Sequence, residues 1–324
     1  MKTGPFPGAV IVAAIAVGIL ASCATTGAAS GKSLDERALS SAARDDASGF
    51  EAALSEGYDV DKAHSRYNDS TALHIAVEYG SARVVRLIAE RGGDLDSLNG
   101  GFFTAIEIAV SLGDYELADL LLELGADIDR DKGFGHTPLM WATIYGKVSE
   151  AAYYIGRGAN MYAYDYNGTT GLHLYVTKLH EEGQRCDKKL FVAYLEGGFD
   201  PNVPDPMMYR LQHIVCMQND IAIVKLLTAY DIDWNAPTSE GIPALWFAGI
   251  LGNYGVLSYL PALGADLDFV GPEGMTLLIW AARTGDSRLA EKLLALGADR
   301  SVRDAHGKLA ADYAAGPLAE KLAP

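Results

Sequence analysis

The apolar residues of this chain fall into short stripes at helical spacing, separated by polar turns. Leu117, Leu120, Leu121 and Leu122 form one stripe and Leu289, Leu293 and Leu294 another, and each predicts a short helix with one buried face. Ahead of such stripes lies a shorter run that opens on threonine and carries Leu or Ile two residues on, at Thr71, Thr104, Thr137, Thr170 and Thr276. The threonine hydroxyl can cap a first helix, and Ala76, Ala109, Ala142 and Ala281, five residues on, with Ala248 and Ala314 at the same register position, let a neighbouring helix approach closely. Gly80, Gly113, Gly146, Gly252 and Gly285 then end the first helix in the left-handed conformation. Gly57, Gly92, Gly125, Gly158, Gly198, Gly264 and Gly297 end the second, and Asp231, a residue type that tolerates that geometry, stands where one more glycine is expected.

The same phrase returns at a fixed period. Acidic or amide residues follow the second glycine at Asp59, Asp94, Asp127, Asn160, Asp200, Asp233, Asp266 and Asp299, in steps of 35, 33, 33, 40, 33, 33 and 33 residues. His74 and His173 complete a Thr-x-Leu-His form. With these markers the chain resembles the ankyrin repeat from about Leu39 to its end. The resemblance implies an all-α ankyrin-repeat solenoid of stacked helix-turn-helix units joined by hairpin loops, filling residues 34–324. Each unit leaves an apolar face open, so stability comes from stacking on the next. The register gives seven full repeats, with capping units at residues 39–60 and 304–322.

Three departures stand out. The step of 40 places seven extra residues near His180 to Asp187, in a repeat with Tyr175 in place of alanine and no glycine after its first helix. Arg210, Leu211, Gln212 and His213 replace the capping phrase of the next repeat, and Pro261 falls late in a second helix, which it should kink or shorten.

The N-terminus is of another kind. Residues 9–21 are apolar or small, a run of 13 that is shorter than the ~20 residues a bilayer span needs. It ends in Leu20, Ala21, Ser22 and Cys23, which resembles the lipobox of bacterial lipoproteins. That resemblance implies a signal peptide over 1–22, diacylglyceryl transfer to Cys23, acylation of its new amino group, and an envelope location. Ala24 carries no inner-membrane retention signal, so the outer membrane is favoured over the inner. Several acyl chains make a stable anchor, and residues 23–33 read as the lipidated cysteine with a flexible tether. Ordinary secretory cleavage with Cys23 merely nearby is the alternative.

Charge and motifs narrow the function. With 42 acidic against 26 basic residues and a net charge of -16, the field repels phosphate backbones, so nucleic acid is not an expected partner. A basic or mixed-charge protein surface suits it better. Phosphate-binding loops, nucleophile elbows and HExxH motifs are missing, and the regularly spaced Asp residues have a loop role, so neither catalysis nor a cofactor is expected. His74, His173 and His213 share a register position and read as structural histidines that bond the backbone of adjacent hairpins. His180, Glu181, Glu182 and Cys186 match no zinc spacing, so no metal is assigned. Cys186 and Cys216 lie in adjacent repeats and either pair or remain free thiols, Cys216 at a normally buried position.

Partners of ankyrin repeats usually meet the hairpin tips and the ends of the first helices, which the family presents as a concave face. That resemblance maps the protein-binding residues to Tyr79, Leu112, Ile144, Tyr145, Met217, Ile250 and Leu251 on the helices. At the hairpins it adds Phe102, Phe103 and Phe134, with Tyr166 and Tyr209. Several of these are apolar where the fold does not require it, as interaction surfaces are. The expectation is a monomeric, lipid-anchored solenoid that binds a protein or peptide; an immunity-type inhibitor that occludes an enzyme or toxin is the alternative.

Overall fold

The computed structural model describes residues 32–323 apart from 183 and 185. The signal peptide, Cys23 and the tether up to residue 31 lie outside the described residues. Among the described residues there are seventeen α-helices and no β-strand, only isolated bridges such as His64 to Ser70 that close hairpin loops. The chain divides into two compact units at Pro138.

The first unit holds three helix pairs: α1 (Leu34–Ala42) with α2 (Ala47–Ser55), α3 (Ala72–Glu78) with α4 (Ala82–Glu90), and α5 (Ala105–Leu112) with α6 (Tyr115–Glu123). Ser33, read from sequence as the end of the tether, caps α1 in a reciprocal box with Glu36. First helices pack on first helices and second on second, α1 on α3 on α5 and α2 on α4 on α6. Val84, Val85 and Ile88 of α4 and Leu117 and Leu121 of α6 are buried along this seam. Each such side chain contributes about 1.5–3 kcal/mol on leaving water.

The second unit continues the pattern. It contains α7 (Pro138–Ile144) and α8 (Val148–Gly156), α9 (Gly171–Glu181) and α10 (Lys188–Glu196), and α11 (Leu211–Cys216) and α12 (Ile221–Leu226). Then come α13 (Ala244–Ile250) and α14 (Tyr254–Tyr259), α15 (Leu277–Thr284) and α16 (Ser287–Leu296), and a last unit of one 3-10 turn, Ala310–Asp312, with α17 (Pro317–Leu322). Pro261 acts as expected, because α14 stops at Tyr259 and a 3-10 turn over Leu260–Leu263 takes its place.

The glycine caps behave as the pattern requires, with Gly113 at φ 76° and Gly297 at φ 100°. Asp231 does not. The expectation that it adopts left-handed geometry is wrong, because α12 runs into a 3-10 turn over Leu227–Ala229 and leaves through an extended Tyr230 at φ -113°. The second helices also have a cap that the reading of the repeat overlooked: Asp46, Asp114 and Asp286 accept from the backbone N–H of Gly49, Leu117 and Leu289.

Successive hairpins are linked by one recurring hydrogen bond. In the first unit the Asp94 N–H donates to Asp61 Oδ1 and the Asp127 N–H to Asp96 Oδ1, both at 2.8 Å. In the second, Asp266 donates to Asn235 Oδ1 at 2.8 Å and Asp299 to Asp268 Oδ1 at 2.9 Å. Asp200 differs and donates to the Tyr162 hydroxyl at 2.8 Å.

Candidate functional site

Thr104 begins the most elaborate cap of the first unit. Glu107 Oε2 accepts from the Thr104 N–H at 3.0 Å and from its hydroxyl at 3.2 Å, while Glu107 Oε1 accepts from Lys132 Nζ at 2.6 Å. Both charged side chains are almost wholly buried, 7% and 4% exposed, and Lys132 Nζ also lies 4.8 Å from the centre of the Phe103 ring. This ion pair anchors the hairpin after α6 to the start of α5. The Thr-x-x-Glu spacing was its only sequence signal; Lys132 reads as an ordinary loop charge.

On the same unit Phe102 and Phe134 occupy hairpin tips at φ 60° and φ 64° and are 63% and 74% exposed. Left-handed backbone costs a residue with a Cβ about 1–2 kcal/mol. These residues therefore combine backbone strain with an aromatic ring in water. Tyr79 and Leu112 end the packed helices α3 and α5; Leu112 is exposed and Tyr79 is half-buried. Beside Tyr79, burial pushes the Glu78 carboxyl up to about 7, and its Oε2 finds no hydrogen-bond partner among the described residues.

In the second unit Tyr145 follows α7, stacks on Trp141 at 5.1 Å, and has Lys178 Nζ 4.5 Å above its ring. Ile144 is half-buried. Helices α11 and α13 pack together and bring Met217, half-buried, into the same neighbourhood as the exposed Ile250 and Leu251.

The three register histidines diverge. His74 Nδ1 accepts from the Thr71 N–H at 3.1 Å, which leaves Nε2–H to donate to the carbonyls of Ser97 and Phe103, both at 3.1 Å. His213 does likewise, accepting from the Arg210 N–H and donating to Ala236 O, both at 2.9 Å. It thereby keeps the capping contact although Arg210 has replaced threonine. For His173 the expected backbone clasp is absent: Nδ1 meets the Thr170 hydroxyl at 2.8 Å, but Nε2 makes no hydrogen bond among the described residues and stands 3.5 Å from Asp205 Oδ2. The physical reason lies in the following hairpin, where Pro204-Asp205-Pro206 puts a carboxylate, and beside it a cavity, where the carbonyls would be.

The insertion is partly ordered by Tyr175, which is buried and accepts from the Asp187 N–H through its hydroxyl at 2.9 Å. The side chains of His180 and Glu181 lie outside those described. Cys186 and Cys216 are both free and buried, and burial pushes the Cys186 thiol up to about 12 and raises that of Cys216 as well. Among the described residues no three His, Cys, Asp or Glu side chains converge as a metal site, and no helix is long and apolar enough to cross a membrane.

Comparison with known proteins agrees with this architecture. The family model described as Ankyrin repeats (3 copies) matches residues 39–132 and 212–304, more than half of the chain. Palmitoyltransferase AKR1 of Lachancea kluyveri is 36% identical over 107 residues, 32% of this chain and 14% of that protein. Palmitoyltransferase Hip14 of Drosophila melanogaster is 39% identical over 88 residues, 27% of this chain and 14% of that protein. The chain thus spans about one seventh of the length of these relatives, and the transferase activity in their names is not carried over by so partial a match. Helix pairs, glycine caps, linked hairpins and the matched family model agree: this chain belongs to the ankyrin-repeat family.

Proposed function

We propose that this chain binds a protein or peptide partner through its hairpin tips and the ends of its first helices, while a lipid on Cys23 holds it at the bacterial envelope, at the outer membrane rather than the inner. The observation that carries the binding role is the pair Phe102 and Phe134. A left-handed backbone and a solvated ring are both unfavourable, and such strain clusters where a residue serves binding. Leu112, Tyr145, Ile250 and Leu251 add apolar surface that packing within each unit does not consume. The net charge of -16 favours a basic or mixed-charge partner. The anchor rests on the Leu20 to Cys23 motif alone.

The binding role is tested by crosslinking in intact cells and recovery of captured proteins. Tyr145→Glu with Ile250→Glu, and Phe102→Asp with Phe134→Asp, should abolish capture while leaving the helical circular dichroism unchanged; undiminished capture by both variants sinks the proposal. The anchor is tested separately by mass spectrometry of the mature N-terminal peptide, where an unmodified Cys23 would remove it.

A further inference from the structure

The clasp missing at His173 leaves a cavity of about 280 Å³ lined by the hairpins on either side of α9 and α10. Its walls are largely aromatic and apolar, with Tyr162, Tyr164, Phe199 and Tyr209 joined by Leu172 and Ile214. One carboxylate, that of Asp205, lines it, and its side chain is only 3% exposed. Asp205 Oδ1 accepts from the backbone N–H of Met207 and Tyr209 at 2.9 Å each, as Asp165 and Asp304 do in their own hairpins. In those hairpins the second oxygen is engaged, by Asn167 Nδ2 and by the Tyr313 hydroxyl. Asp205 Oδ2 receives no hydrogen bond among the described residues and stands 3.5 Å from His173 Nε2.

None of the basic groups nearby neutralises it. Burial holds both His173 and His213 down to about 4, so both are neutral at pH 7. Arg210 also lines the cavity, but its guanidinium makes no ion pair with Asp205 and donates to the carbonyls of Asn202, Met208 and Pro237. A carboxylate withdrawn from water without a direct ion-pair partner is unfavourable, and electron-rich rings attract cations by their quadrupoles. The negative field of the chain, at -16, concentrates cations in the same sense.

From the Asp205 carboxylate and the four aromatic walls we propose that this cavity binds an alkylated ammonium group. Asp205 supplies the counter-charge, and Tyr164, Tyr209 and the stacked pair Tyr162–Phe199 the aromatic wall. Apart from Tyr209 the site uses none of the protein-binding positions above, and the group is either a free amine or the end of a lysine side chain.

The test is calorimetric titration of the mature full-length chain with choline, with N-acetyl-lysine methylamide, and with 3,3-dimethylbutan-1-ol, the neutral isostere of choline. At least one cation should bind about tenfold or more tightly than the alcohol, the gain expected of cation–π and charge pairing together. Stronger binding of choline assigns a free quaternary amine, and stronger binding of the lysine derivative a side chain. Asp205→Asn should erase the preference without unfolding the hairpin, since Asn99 in this chain accepts from the Gly101 and Phe103 N–H in the same turn. Tyr209→Leu, which keeps the wall apolar, should weaken cation binding while sparing the alcohol. Equal binding of cation and alcohol, no binding of either cation, or an unchanged preference in both variants overturns the proposal.

Discussion

Replacing Lys132 by methionine isolates the energetic role of the buried ion pair. In the native chain Lys132 Nζ sits 2.6 Å from Glu107 Oε1, with the two side chains 4% and 7% exposed. Methionine fills a similar volume but leaves the Glu107 charge buried without a counter-ion, and breaking such a pair costs about 3–5 kcal/mol. The double variant Glu107→Gln with Lys132→Met removes both charges while keeping an amide oxygen for the Thr104 N–H that now donates at 3.0 Å. It should recover to within about 1–2 kcal/mol of the parent, since an apolar replacement of a whole buried pair is nearly neutral. Urea unfolding at pH 7, followed by circular dichroism, measures both values, and the deficit of the single variant should persist in high salt because buried pairs are little screened. A single variant within about 1 kcal/mol of the parent, or a double variant no better than the single, would show that the pair does not stabilise the fold in this way.

Four further outcomes follow. Phe102→Gly should raise stability by about 1 kcal/mol in urea unfolding by removing left-handed strain, and at the same time weaken partner capture. Gly113→Ala, at φ 76° with open space around it, should lower stability by about 1–2 kcal/mol for conformational reasons alone. Burial raises Glu78 from its ordinary 4.5 to about 7, so its contribution is fully present below pH 4.5 and is lost as pH rises through 7. Glu78→Gln should flatten that part of the pH–stability curve and gain on the order of 1 kcal/mol at pH 8 after allowance for partial solvent screening. Thiol titration of a Cys23→Ser variant should find Cys186 and Cys216 unreactive in the folded chain and both reactive in guanidinium, and a disulfide detected under native conditions would contradict their assignment as free thiols.

What could be read from sequence was whatever depends on local geometry and period. A glycine after a helix, a proline late in one, or a threonine before one acts within a few residues, and Gly113, Pro261 and Thr104 do what their neighbours in sequence imply. Asp231 failed because the end of α12 tightens into a 3-10 turn, an outcome decided by packing rather than by the residue at the expected cap. Lys132 and Glu107 are 25 positions apart, and no local pattern marks a loop lysine as buried. The same holds for His173. Its register matched that of His74, but whether it clasps the next hairpin depends on Asp205, 32 positions on, across the seven-residue insertion. The proposed binding positions are places defined by the repeat register, whereas the left-handed backbone of Phe102 and Phe134 has no sequence signal.

The hydrogen bond between successive hairpins has a direction: the earlier hairpin supplies an oxygen and the later one an amide. A duplicated unit would carry both halves of that coupling, so the array can lengthen by copying without inventing a new joint. Among the described residues the Tyr162-to-Asp200 link departs from this form, as does the next, where Asn202 Nδ2 donates to the Asp231 carbonyl, and a duplication across the first would transmit a phenol in place of the generic oxygen. The regular stretches are therefore the places where this lineage can gain or lose modules cheaply, and the odd joint is the place where its length is pinned.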